Sequence, residues 1–490
     1  MTAAPGLPDG STVRLARRTR VIDDGRVLVG GAPTRVARLV PAAAGLLRGR
    51  DLRVSDPTSR RLAEHLLSAG LAEPVVGSLP ALPLDGVTVV IPVKDRPEPL
   101  SRLLASLPDG LGGVIVVDDG SEDAEGIAAA ARAHGVDLLR LDVNAGPAVA
   151  RNTGLARVRT EFVAFIDSDV VVEPDAIGLL LRHFADPRLA LAAPRVLSTD
   201  VAAPTWITRY EDARSSLDLG GDAASVRPRS PVTWVSSTAL VGRVAALGTG
   251  FDPSMRVGED VDIVWRLVED GWRVRFEPAA VVRHEPRSTT GTWLGRKRFY
   301  GTGAHPLGQR HPEDIAPAVL PWWGVALLIL AALQRRWAAA AAALVVAGVV
   351  VRIARKLGHV RRPWLLSLRL TGTSLVATGT QGIALLVRHW WPAAVAAAFL
   401  SRRARRLLAI AAVVDSVWEF FRLRPRLDPV RFAVARRLDD LAYGWGVWEG
   451  ALRGRSIRAL LPAVTSSADA DRSRRRAPRR VVQDQPAPRP

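Results

Sequence analysis

The sequence predicts an α/β protein whose centre is an open parallel sheet with helices on both faces. Three observations carry that expectation. Between residues 87 and 169, short β-branched runs alternate with helical stretches; each run ends in a polar, mostly acidic cluster; and after residue 315 the texture changes to uncharged stretches flanked by tryptophan. Ligands of such sheets bind at the carboxyl ends of the strands, so the acidic clusters are where chemistry is expected.

Composition narrows the class. With 490 residues the chain has room for two to four domains, and 48% apolar against 23% charged residues excludes wholesale disorder. The absence of cysteine excludes disulfides, thiolate metal sites and cysteine nucleophiles. The formal charge of +19 is carried almost wholly by arginine, since only Lys94, Lys297 and Lys356 are lysines. Twenty arginines against nine acidic residues fall in 401–490, beside the apolar region. That placement suits an anionic membrane surface, and no motif that reads nucleic acid is present.

The elements follow in order. The first ten residues lack the features of a signal peptide, so the catalytic part is expected in the cytoplasm of a bacterial cell. Two alternating strands flank a turn at Asp23-Asp24-Gly25; helices are expected over Thr34 to Leu47 and Ser59 to Ala69, and residues 1–80 read as a small winged-helix-type domain. Domain two, 84–312, opens on VTVVIPV, a run buried on both faces, followed by a helix from Pro99 to Leu107. GVIVVDDGS, an alanine-rich helix to Ala133, a strand around LLRLDV, a helix from Pro147 to Arg157 and FVAFIDSD complete a βαβαβαβ succession.

In 315–401, Ala316 to Leu333, Trp337 to Val351, Leu370 to Val387 and Pro392 to Leu400 are free of charge, with Trp322, Trp323, Trp337, Trp364, Trp390 and Trp391 at their margins. These predict transmembrane or membrane-embedded helices; a soluble helical bundle is the alternative, because the stretches are short for a hydrocarbon core of about 30 Å. Residues 402–465 read as Arg-rich amphipathic helices suited to anionic lipid, and 466–490 as a disordered basic tail.

The strand ends carry the candidate site. Asp95 follows the first strand, while Asp118 and Asp119 follow the second; carboxylates without a phosphate-cradling glycine loop suit the donors of a base and ribose. NAGPAVARN gives a turn and a helix carrying Arg151. Asp167 and Asp169 end an apolar strand, where unpaired charge is costly unless a divalent cation on a diphosphate balances it; hard oxygen ligands suit Mg2+ or Mn2+. Glu259 and Asp260 begin a helix bearing Arg266: a general base for an acceptor hydroxyl with an arginine toward the diphosphate, or plain helix-dipole charge and a salt bridge. His284 in VVRHEP is a further candidate metal ligand.

Taken together, VIPVKDR, VVDDGS, NAGPAVARN, FIDSD, Gly250-Phe251-Asp252 and GED with Arg266 resemble the family 2 glycosyltransferases over about residues 86 to 300. The resemblance implies a Rossmann-like GT-A fold and an inverting, metal-dependent transfer: Pro92, Asp95, Asp118, Asp119, Arg151 and Asp167 at the nucleotide, Asp167, Asp169 and His284 at the metal, and Asp260 as base, with Glu259 and Arg266 beside it. The helix after Asp260 reads VDIVWRL, not the Gln-x-x-Arg-Trp of processive synthases, which argues against long-chain extrusion. The domain order, with a front unit similar to PqqD-type peptide-binding domains, resembles the mycofactocin-system branch of the family. That branch implies UDP-glucose as donor, short β-linked glucose units as product, and a peptide-derived redox cofactor precursor held by the front domain. A lipid-linked or cell-envelope acceptor, and a non-catalytic nucleotide-sugar sensor, are the alternatives.

Overall fold

The computed structural model describes residues 6–286 and 288–465; the basic tail expected over 466–490 lies outside them. Its centre is a nine-stranded sheet. In spatial order the strands are Val170–Val172, Arg273–His284, Leu189–Ser198, Ala239–Arg243, Phe162–Ile166, Val87–Val93, Gly113–Asp119 and Asp137–Leu141, with Ala224–Ser225 paired to Arg273–His284. The four strands read from the sequence pair in parallel as expected. Val87–Val93 sends Val87, Val89, Ile91 and Val93 into one core and Val90 into the other, which is why the run is continuously apolar.

The succession Val87–Val93, Gly113–Asp119, Asp137–Leu141 grows toward one edge, whereas Phe162–Ile166 lies on the opposite side of Val87–Val93. The order in which strands are added thus reverses between these two parallel neighbours, opening a crevice at their carboxyl ends. Helix Pro147–Leu155 crosses the sheet so closely there that a Cβ at Gly154 would sit 2.3 Å from a methyl of Val90. Beyond Phe162–Ile166 the sheet is mixed, not parallel as the alternation suggested. Ala239–Arg243 enters from the carboxyl edge after an irregular stretch, and so runs antiparallel to both its neighbours.

The front unit differs from the expected winged-helix arrangement. It holds a three-stranded sheet of Asp51–Arg53, Thr12–Leu15 and Ala72–Pro74, and a second one of Arg20–Ile22, Val27–Gly30 and Arg35–Arg38. Most of the helix expected over Thr34 to Leu47 is therefore strand and turn. Arg35–Arg38 pairs with Val27–Gly30, and Pro41, which suits only a first helical turn, starts a helix of five residues, Pro41–Gly45. The one longer helix, Pro57–Ser68, is started by Asp56, whose carboxylate accepts from the amides of Thr58 and Ser59 at 2.7 and 2.9 Å.

The rear is helical: Trp322–Leu333, Arg336–Lys356, Pro363–Ala384 with a π-turn through His389, Trp391–Leu400, Arg402–Leu423 and Pro429–Arg453. Arg336–Lys356 and Pro363–His389 are long and apolar enough to cross a membrane, and only 22% of the apolar stretch of each is buried. Pro429–Arg453 is not the lipid-lying helix that its arginines suggested. Phe432, Ala435 and Val447 are buried, and it packs on Thr290–Thr302 so tightly that a Cβ at Gly446 would strike the Arg298 carbonyl. Its Asp439 and Asp440, 1% and 0% exposed, pair with Arg388, Arg214, Arg436 and Arg437.

Candidate active site

The crevice at the strand ends opens into a cavity of about 950 Å³ that continues to the rear helices. Of the residues singled out from the sequence, Pro92, Asp119, Arg151, Asp167, Asp169, Glu259 and Asp260 line it together. Five separate segments bring them there, each from a strand end or a helix start.

Asp119 closes the second strand, and Gly120 turns the chain with φ 66°, where a Cβ would strike the backbone of Val143 and Asn144. Its carboxylate accepts from the amides of Ala145 at 2.7 Å and Gly146 at 2.9 Å, fixing the NAGP turn against the DDGS turn. That turn launches the helix carrying Arg151, which is 3% exposed and donates to Asp167 at 2.6 Å and to Glu259 at 3.1 Å. Phe251 of the GFD segment lies under the same guanidinium, 5.3 Å from ring centre to carbon. One buried arginine thus holds the FIDSD strand end and the GED helix start at a set separation.

Asp169 pairs with Arg96 and lies 3.4 Å from Nε2 of His284. Burial favours its neutral form, but His284 and Arg96 outweigh that and hold the carboxyl well below its ordinary range. Asp260 goes the other way. It opens to the cavity and is enclosed by protein elsewhere; burial and the adjacent Glu259 charge push it up to about 7, against the stabilising amides of Val261 and Ser237 and the charge of Arg151. A carboxyl that titrates near neutrality and opens to the cavity can take a proton from a bound hydroxyl.

Four expected site residues do not line the cavity. Asp95 has positive φ, and its carboxylate pairs with Lys94 and accepts from the Glu122 amide at 2.7 Å. Asp118, fully buried, accepts from the Ser121 amide and from Arg140. Both carboxylates are used in holding the two strand-end turns. Arg266 donates to Asp262 at 2.8 Å and to the Gly250 carbonyl at 2.5 Å, so it anchors the GFD segment and is not aimed at a diphosphate. His284 stands behind Asp169. Among the described residues no group of three or more acidic or histidine side chains is arranged around a common metal position, so the expected set of Asp167, Asp169 and His284 is not assembled as such. The arginines Arg96 and Arg151 engage the two aspartates instead. Even so, two carboxylates one residue apart, both facing the cavity, are the kind of hard oxygen donors that share a cation with substrate phosphates, so the chemistry of the pair fits Mg2+ or Mn2+.

Other lining residues were not picked out from the sequence. Arg96 and Arg256 had a signal, adjacency to strand-end motifs. Ser237 and Thr238 precede the antiparallel strand, and Arg296, Lys297, Tyr300, Arg388 and Tyr443 come from helices distant in sequence. None of the residues 6–80 lines the cavity, so the front unit does not form the acceptor site expected of it within this space.

Comparison with known proteins identifies the family. Residues 88–234 match the model described as Glycosyl transferase family 2, and residues 162–409 match that described as Glycosyl transferase family group 2. The pre-mycofactocin glycosyltransferase of Mycobacterium tuberculosis is 44% identical over 473 residues, covering 94% of this chain and 99% of that protein. The succinoglycan biosynthesis protein ExoU of Rhizobium meliloti is 27% identical over 49% of this chain and 74% of its own length. The mannosyltransferase PcManGT from Pyrobaculum calidifontis, solved in complex with GDP-Man and Mn2+, is 17% identical with a TM-score of 0.35, over 62% of this chain and 90% of that one. The chain belongs to glycosyltransferase family 2, and its central domain has that family's GT-A-like α/β fold.

Proposed function

We propose that the protein is an inverting glycosyltransferase that moves glucose from UDP-glucose to the peptide-derived cofactor precursor pre-mycofactocin, building a short β-linked glucose chain. The observation that carries the transfer reaction is the single cavity in which Asp119, Asp167 and Asp169 share a wall with Asp260. The acceptor is drawn from the relative that matches nearly end to end.

The nucleotide end of the donor lies against Pro92 and Asp119, and its diphosphate among Arg96, Arg256 and the Asp167–Asp169 strand end. Asp167 and Asp169 would hold a divalent cation, Mg2+ or Mn2+, which supplies positive charge to the leaving diphosphate. Asp260 takes the proton of the acceptor hydroxyl as its oxygen bonds to the anomeric carbon. The bond from that carbon to the diphosphate oxygen breaks with its electron pair, and attack from the opposite face inverts the configuration. Glu259 and Arg151 position Asp260 without touching the reacting atoms. The acceptor occupies the far end of the cavity, against side chains of Thr290–Thr302 and Pro429–Arg453, where Tyr300, Tyr443 and Arg296 offer aromatic and cationic contacts. The front unit, outside this space, serves a larger peptide-derived acceptor only at a distance.

The exposed apolar helices and the adjoining arginines support attachment to an anionic bacterial membrane, with the catalytic domain on the cytoplasmic side. The test offers the purified enzyme UDP-glucose, Mn2+ and either the peptide-derived precursor or a lipid-linked acceptor, and follows UDP release and mass gain. A hexose added to the precursor is the expected result. Transfer only to the lipid-linked acceptor overturns the acceptor, and UDP binding without turnover on either overturns catalysis.

A further inference from the structure

The longest apolar helix, Pro363–His389, is about 40 Å long at 1.5 Å per residue, more than enough to cross a bilayer. Both of its ends, however, are fastened to the same polar body. At the first end, Leu366 packs with Val27 and Val29 of the front unit, and the Arg361 amide donates to Asp23 at 3.0 Å. The front unit is in turn joined to the catalytic domain: Glu73 accepts from Arg275 at 2.6 Å, a buried pair, and from the Ser225 amide at 3.1 Å, while Arg227 donates to the Ser68 carbonyl at 3.0 Å. At the other end, Arg388 donates to Asp440 at 2.9 Å, and Trp448 donates to the His389 carbonyl at 2.7 Å. Helix Pro429–Arg453, which supplies both partners, is joined to the catalytic domain through Arg298 and Glu449 at 2.7 Å.

A helix spanning the bilayer would put these two attachment points on opposite faces, about 30 Å apart across hydrocarbon, and would tear one of them from a continuous folded body. Arg369 adds to the difficulty. It is exposed and lies about 9 Å along the helix from Pro363, a depth at which a spanning orientation would bury its charge in lipid.

We infer that the rear helices lie in the plane of the membrane as a monotopic platform, with their exposed side against the acyl chains of one anionic leaflet. This rests on the membrane attachment proposed above and specifies its geometry. The side has the composition that such a position requires. Trp337, Leu344, Trp364, Leu368 and Phe399 are all more than half exposed, and Arg335, Arg336, Arg355 and Arg362 stand exposed at the helix ends, where they reach lipid phosphates. Between the helices runs a groove of about 690 Å³ lined by apolar side chains alone, among them Leu327, Val346, Val350, Leu368 and Leu375, which suits an acyl chain and offers nothing to a polar ligand. Because Arg388 and His389 at one end of the platform line the catalytic cavity, the cavity sits at the level of the leaflet surface.

The cysteine-free chain allows a direct test. Single-cysteine variants Glu125→Cys on the catalytic domain, Arg335→Cys and His359→Cys at opposite ends of Arg336–Lys356 are produced in the full chain and treated, in sealed inverted and right-side-out bacterial vesicles, with a membrane-impermeant maleimide. All three are expected to label in inverted vesicles and to lose labelling in right-side-out ones. Labelling of Arg335→Cys and His359→Cys from opposite faces overturns the in-plane geometry while leaving membrane attachment intact. Flotation of the unmodified chain with vesicles containing phosphatidylglycerol is measured alongside. Absence of flotation overturns attachment itself, and with it the platform, without bearing on glycosyl transfer. Leu344→Asp, on the exposed side, is expected to shift the protein to the soluble fraction, and its full retention in the membrane counts against the platform.

Discussion

The two ends of the catalytic cavity are built differently. At the end proposed for the donor, Asp119, Asp167, Asp169 and Asp260 lie on two strand ends and a helix start within one domain, fastened by Arg151 and by amides of the next turn. At the end proposed for the acceptor, Arg296, Tyr300, Arg388 and Tyr443 come from three helices that meet only because buried charges and glycine contacts hold Pro429–Arg453 in place. Chemistry common to a family is expected to sit in the first kind of construction, because each side chain is set by its own strand. Specificity is expected in the second, because moving one helix changes the pocket without touching the reacting atoms.

The largest effect should come from Asp260→Asn, which removes the carboxylate proposed as the base. Transfer is expected to fall by about 10²- to 10⁴-fold with UDP-glucose affinity nearly unchanged, as read by steady-state kinetics and nucleotide titration. Retained transfer would move the base elsewhere.

Asp440→Asn acts at the acceptor end through stability. It leaves Arg388, Arg436 and Arg437 short of a buried partner, and a loss of about 3–5 kcal/mol in chemical denaturation is expected, together with weaker acceptor use. An unchanged denaturation midpoint would show that the helix does not depend on this network.

The pH profile belongs to the donor end again. Asp260 must be ionised to accept a proton and has its carboxyl raised to about 7, so kcat/KM should climb with pH and level off above that value, losing about tenfold per unit on the acid side. A profile flat from pH 5 to 8 would contradict the assignment.

The smallest effects separate the two ends most cleanly. Arg256→Ala is expected to raise the KM for UDP-glucose about tenfold, whereas Arg296→Ala should raise the KM for the acceptor by a few-fold and leave that for the donor alone. Equal effects of both variants on both substrates would dissolve the distinction between the ends.

This contrast also explains what could be read early. The parallel half of the sheet was legible because a strand buried on both faces must be apolar throughout, and the acidic clusters were legible because buried carboxylates at strand ends call for a counter-charge. Asp95, Asp118 and Arg266 look like site residues by position. Arg266 instead takes Asp262 one helical turn away, a pairing visible in the sequence, whereas Asp95 accepts from the Glu122 amide and Asp118 from Arg140, contacts that depend on how separate strands and turns come together. The Arg-rich texture of 429–453 suggested a lipid-facing helix. Only the approach of Thr290–Thr302, Arg388 and Asp415 shows that its charges are paired inside the protein.

The α/β succession, the acidic clusters at its strand ends and the apolar character of the rear were set by the sequence alone, because periodicity, burial and charge cost act locally along the chain. Which carboxylates face the cavity, which distant helices line its far end and how the apolar helices are anchored at both ends came from the folded chain, because each depends on contacts between segments tens to hundreds of residues apart, and no local pattern records them.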